Sequence, residues 1–230
     1  MADYKAPYSI AGAGSRLGSL YPRNIRFEVI RSFEDGNLLF MHIAQNPDGY
    51  ESWVTMSLLE ICADGSGNML HQVTNRLKPR INPDRSRVDG PRAVDVSECG
   101  HENKAIVREF VDTCFVRGDA SRIMDYLDED GFITHNPRMS PGARSFQSFI
   151  ADELLSDQPL CYTRVHRVVG QGDFVAVFSE LTFRGGLYEA ADLFRLKGGR
   201  IVEHWDIAGD RQRNQTVSND MGHEVAAAGS

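Results

Sequence analysis

Among the side chains able to move a proton or wall in a ring-shaped ligand, Asp192, Asp206, His135, His166, Glu180, His204 and Trp205 stand in the C-terminal half of the chain. Asp192 lies between Ala191 and Leu193 in apolar, strand-like text. Turned to a buried side, its carboxylate is desolvated and its basicity rises toward a range that suits proton abstraction next to a carbonyl. Turned outward, it is only a partner for a nearby arginine. His135 precedes Asn136-Pro137 where helical text gives way to strands. A neutral imidazole there can donate to a carbonyl or shuttle a proton, or can simply hold the turn. His166 and Glu180 fall on adjacent strands and tune one another if both point inward, or form a solvated pair if they do not.

Register decides which of these groups meet. If Gly198-Gly199 forms a two-residue turn, Lys197 faces Arg200, and counting back sets Asp192 opposite Trp205 and Ala191 opposite Asp206. Asp192 then shares a face with Trp205, while Asp206 joins His204 and Arg195 on the other, unless a bulge shifts the count. The expectation is Asp192 and Trp205 inward, because an indole is costly to leave in water and makes a flat wall for a ring.

Other chemistries find little support. No His, Cys, Asp or Glu set has metal-ligand spacing, and Gly12-Ala13-Gly14 follows no strand and opens no helix, so it makes no phosphate loop. Ser179 has no nucleophile elbow around it. Chemistry without a cofactor is expected. With 32 acidic against 25 basic residues and a formal charge of -7, nucleic acid and anionic membrane are poor partners. The N-terminus does not read as a signal peptide and no segment reads as a membrane span, so a soluble, cytoplasmic protein is expected. Cys62, Cys99, Cys114 and Cys161 are scattered and read as reduced packing residues.

The elements that must position these groups follow from periodicity. Ile106, Val107, Phe110, Val111 and Cys114 mark one buried helical face. Asp119 caps a second helix carrying Ile123, Tyr126 and Leu127. A third, after Pro141, buries Phe146, Phe149, Ile150 and Leu154. Strands follow over 162–169, 174–183, 188–196 and 200–207, with glycine-marked turns between them. Helices first and a meander afterwards predict an α+β unit over 101–210. Ahead of it, a flexible arm covers 1–22, an antiparallel meander 23–78 and a Pro/Arg/Asp/Ser-rich connection 79–100; a tail covers 211–230.

The first meander aligns beneath the second. Val29, Arg31 and Gly36 fall on Val165, Arg167 and Gly172 at a constant shift, and later strands match after small gaps. The polar groups of the second meander become Ser57, Gln72 and Thr74 in the first, which also lacks the three helices. The expectation is a truncated, degenerate repeat serving structure, with any chemistry confined to the C-terminal unit.

Four ordered pieces, 103–111 (NKAIVREFV), 132–137 (FITHNP), 192–195 (DLFR) and 199–206 (GRIVEHWD), resemble the SnoaL-like polyketide-cyclase family, in its predicted aldol-condensation branch. The run 87–91 (RVDGP) resembles the joint of tandem members. The resemblance implies the cone shared with ketosteroid isomerase: helices closing one end of a curved antiparallel sheet around a deep, mostly apolar pocket. Relatives place an acid near the end of the last strand, which makes Asp206 a second candidate base. Two departures, Phe178 where many relatives carry histidine and Pro141 where an aspartate precedes glycine, bear on substrate. The resulting expectation is a cofactor-independent enzyme acting on an apolar, ring-containing carbonyl compound by proton abstraction, as in aldol-type cyclisation, isomerisation or dehydration. In it Asp192 or Asp206 is the base, His135 the donor, Trp205 the wall, and His166, Glu180 and His204 further binding groups. The alternative is a binding or interaction protein of the same fold. A homo-oligomer is expected, because the outer face of such a sheet packs against a copy, or here against the first meander.

Overall fold

A computed structural model describes residues 26–46, 52–76 and 86–210. The expected arm and tail, and parts of the first meander and of the connection, lie outside the described residues. Strands β1 (Phe27–Asp35), β2 (Leu38–Gln45), β3 (Trp53–Ile61) and β4 (Gly67–Arg76) form one antiparallel sheet in chain order. Helix α1 (Gly100–Phe110) runs on into a π-helical turn over Val111–Val116, followed by a 3-10 turn over Ala120–Asp125. Next come β5 (Ile133–Thr134) and α2 (Ala143–Leu154). Then β6 (Cys161–Gln171), β7 (Phe174–Phe183), β8 (Gly186–Lys197) and β9 (Arg200–Asp210) close a second sheet in the order β5-β9-β8-β7-β6. This is the expected α+β architecture. No helix among the described residues is long and apolar enough to cross a membrane.

The second expected helix is shorter than its apolar stripe suggests. Asp119 does cap it, accepting the Ser121 N–H at 3.2 Å. Its far end is drawn off, however, because Ile201 N donates to Tyr126 O and Asp128 N to Ile201 O, both at 2.9 Å. Those backbone groups serve the sheet and cannot continue a helix.

The second sheet is apolar on both faces. Its concave face packs on the helices through Val175, Val177, Leu181 and Phe194 against Phe110, Phe115, Phe146 and Ile150. Its reverse face, with Phe174, Phe178, Leu193, Trp205 and Ile207, packs on Phe33, Phe40, Val54, Met56 and Leu58 of the first sheet. The surface expected to meet a copy or the first meander is therefore covered from within the chain.

A strap from Ser86 to Pro91 is tied between the sheets. Arg31 Nε donates to Pro91 O at 2.6 Å and another guanidinium nitrogen donates to Asp89 O, while Trp205 Nε1 reaches Asp89 O at 2.9 Å. Gly90 has φ +95, and a Cβ there would come within 2.7 Å of Glu203 Oε1 and 2.8 Å of the Trp205 ring, so only glycine fits.

Candidate active site

The β8–β9 hairpin sets the site. Lys197 does face Arg200, but the count then slips between Arg195 and Leu196: Arg195 faces Glu203, Leu196 faces Ile201, and Val202 is left over. One extra residue inverts the parity of everything beyond it. Asp192 therefore faces Asp206, and Leu193 faces Trp205. The expected sharing of a face by Asp192 and Trp205 is overturned: Asp192, His204 and Asp206 line the concave side, and Trp205 lies on the reverse.

On the concave side, Asp192 is buried, with 2% exposure. Tyr162 Oη, on β6, donates to its Oδ2 at 3.0 Å, and His204 Nε2, on β9, lies 2.9 Å from its Oδ1. Burial raises the Asp192 pKa above the ordinary carboxyl value, and the hydrogen bond from His204 works against that rise. Burial, reinforced by the Asp192 charge, pushes the Tyr162 phenol well above its usual range, so it acts as a donor. Asn136 Nδ2 donates to Asp206 Oδ2 at 2.6 Å. Three buried polar atoms have no hydrogen-bond partner here: His204 Nδ1, Asp206 Oδ1 and Ser179 Oγ. Ser179 shares the concave face by alternation with Val177 and Leu181.

Tyr162, Asn136 and Ser179 are not singled out by sequence reasoning. Tyr162 opens its strand like any aromatic, and Asn136 reads as turn chemistry. The distances of Tyr162 to Asp192 and of Asn136 to Asp206 give those two meaning, and strand alternation places Ser179 on the same face.

The other expected site residues lie on the far side of the sheet. The His135 ring stacks on Trp205 with centroids 4.6 Å apart and planes 5° from parallel. Its Nδ1 is 3.1 Å from Ser86 O and its Nε2 3.0 Å from Glu203 Oε1. Arg195 Nε donates to Glu203 Oε2 at 2.6 Å, and Arg31 stands over the Trp205 ring at 4.3 Å. Burial works to raise the Glu203 pKa, but hydrogen bonds from His135 and Arg195 outweigh it and hold the carboxyl below its usual value. His135 and Trp205 thus belong to the lock between the sheets, the expected rim and wall roles being displaced by the Val202 bulge and the strap. His166 and Glu180 do pair, at 3.1 Å, but the His166 ring lies 5.0 Å from His71 of the first sheet, which puts the pair at the seam and not in the cone.

The concave side is also fuller than expected. Phe115 stacks on Tyr162 at 4.8 Å, and the His204 ring is held between the face of Phe194 at 4.9 Å and the edge of Phe146 at 5.3 Å. An open groove of about 400 Å³ lies elsewhere, where Arg184 at the β7–β8 tip meets Glu153, Ser156, Asp157 and Gln158. A hollow of about 10 Å³, room for one water, sits by His71, His166 and Phe178. Among the described residues no cluster of His, Cys, Asp or Glu is placed to hold a metal ion.

Residues 107–204 match the SnoaL-like domain family. Three solved structures are similar in part. A protein described as a SnoaL-like polyketide cyclase from Jannaschia sp. is 22% identical, over 56% of this chain and 96% of that one, with a TM-score of 0.41. An LEH-like epoxide hydrolase from M. tuberculosis is 15% identical, over 56% and 98%, with a TM-score of 0.42. A protein described as a ketosteroid isomerase from Kribbella flavida is 20% identical, over 48% and 79%, with a TM-score of 0.41. No curated protein matches the chain significantly.

Proposed function

Because residues 107–204 form a SnoaL-like domain, we propose that the chain is a cofactor-independent enzyme that moves a proton on a small carbonyl compound, by aldol-type cyclisation, isomerisation or dehydration. The observation that carries this reading is a desolvated Asp192 carboxyl, held by Tyr162 and His204 and flanked by buried polar atoms that the protein leaves unpaired. Each such atom costs about 1–3 kcal/mol, and well-packed apolar side chains in their place would be at least as stable. A ligand bearing a carbonyl, which accepts from Ser179, and a hydroxyl, which donates to Asp206, on an apolar ring would pair with these atoms and suit the phenylalanine walls.

The first sheet, on this proposal, is a reduced copy that serves structure. The matching turn glycines Gly36 and Gly172, at φ +66 and +56, and the register breaks at Val29/Arg31 and Val165/Arg167 support that reading. A second functional reading is a binding or interaction protein, and the rings that occupy the cone favour its interaction form.

Solvent deuterium exchange into a panel of cyclic ketones and lactones separates the two. The wild type is expected to label at least one, and Asp192→Asn to lower the rate by about 10²-fold or more. Ligands bound without any exchange would favour the binder. Equal labelling by both proteins would remove Asp192 from the chemistry.

A further inference from the structure

The acid–base reading above is the premise here, and the geometry assigns its atoms. Both oxygens of Asp192 are engaged, Oδ2 by the Tyr162 hydroxyl and Oδ1 by His204 Nε2. A carboxylate offers only acceptors, so Nε2 carries the hydrogen of that bond, and a neutral imidazole protonated on Nε2 has a bare lone pair on Nδ1. That atom is buried and has no partner, in a side chain with 2% exposure. The ring cannot turn to find one, because Phe194 stacks on its face and Phe146 meets it edge-on. A base fixed by hydrogen bonding its far nitrogen to a carboxylate, itself fixed by a third group, is the arrangement that activates imidazoles in acyl transfer.

We propose that His204 Nδ1, and not an oxygen of Asp192, takes the proton from the substrate, with Asp192 and Tyr162 as positioning residues. In the step, the C–H bond next to the carbonyl breaks, its proton goes to Nδ1 and its electron pair remains on the substrate as an enolate. The imidazolium so formed is stabilised by the Asp192 carboxylate. Nδ1 then returns the proton to another carbon in an isomerisation, to a departing hydroxyl in a dehydration, or to the new alkoxide when the enolate attacks a second carbonyl. No oxidant or reductant is needed. Ser179 Oγ, unpaired on the same face, is left to donate to the carbonyl oxygen of the substrate, and Asp206 Oδ1 to accept from a hydroxyl on it.

Two measurements on the full chain test this. Correlation of imidazole nitrogens with ring protons by NMR, at neutral pH and without ligand, is expected to show His204 as a single tautomer with hydrogen on Nε2 only, and Asp192→Asn is expected to disturb it. Hydrogen on Nδ1 in the wild type would overturn the assignment whatever the activity. In the exchange assay, His204→Gln retains an amide N–H for Asp192 yet is expected to slow labelling by about 10²–10⁴-fold, as does Asp192→Asn. Should His204→Gln label at the wild-type rate while Asp192→Asn does not, Asp192 is the base and this inference fails, with the enzymatic reading intact. Should the wild type label none of the ketones, the enzymatic reading fails and this one with it.

Discussion

The two sheets are alike in parts of their pairing and differ in what they do with polar groups. Phe33 faces Phe40 in the first as Val169 faces Ala176 in the second, and each last strand has a single residue left over, Leu70 in β4 and Val202 in β9. On the second sheet Asp192 faces Asp206, and ionisable groups keep atoms without partners. On the first, Ser57 faces Gln72 and Thr55 faces Thr74. The two threonine hydroxyls bond at 2.9 Å and Gln45 Nε2 donates to Thr55 Oγ1 at 3.1 Å, so most of these neutral groups satisfy one another. Ser57 Oγ is the exception on that face. On the proposed reading, pairing polar groups internally makes the first sheet a scaffold, and leaving them open on the second keeps a place for a ligand.

The reverse faces, by contrast, depend on each other. Residues 99–210 expressed alone would expose Phe174, Phe178, Leu193, Trp205 and Ile207 together, a patch that soluble monomers do not leave in water. Light scattering is expected to find association or precipitation; a folded, monodisperse monomer would show the first sheet to be dispensable. Next in size, Trp205→Ala removes the ring that His135, Arg31 and Phe174 pack on, and a loss of about 3–5 kcal/mol in urea unfolding is expected. The paired change Thr55→Val with Thr74→Val, on the scaffold face, should cost only about 1–2 kcal/mol, chiefly through the stranded Gln45 amide. If the threonine pair proved the costlier, the contrast between a satisfied face and a sealed interface would be wrong.

The smallest effect is in pH. Burial, with Arg31 next in weight, keeps His42 well below the usual histidine value; burial, then His166, brings His71 down to about 4. Between the ordinary value of about 6.5 and about 4, the unfolded chain takes up protons that the folded chain refuses, so stability falls as pH falls. Asp192 acts in the opposite sense, since its raised folded value lets the native state bind a proton first. The urea midpoint of His71→Gln should therefore decline less than that of the wild type between pH 7 and 4.5, and parallel declines would rule out His71 as a contributor.

Much of the fold is legible in local text. The stripe from Ile106 to Cys114, the cap at Asp119 and the glycine turns are each set by side chains within a few residues of one another, and they recur in the folded chain. For Asp192, between Ala191 and Leu193, the strand text leaves the inward and outward readings open, and the folded chain buries it. Its company is not legible at all. Val202 drops out of the pairing without any glycine or proline to mark it, and that one residue exchanges Trp205 for Asp206 beside Asp192. His135 reads as a catalytic histidine until Ser86 and Glu203, both far away in the chain, are seen to hold it.

By itself the sequence determined the main strands, two of the three expected helices and their order, because periodicity and turn chemistry act over a few residues. Tertiary structure alone decided which layer each face meets, for a sheet apolar on both sides has no preference written along its strands. Only the packing of helices on one side and of the first sheet on the other separates the Asp192–His204 group from the Trp205–His135 lock.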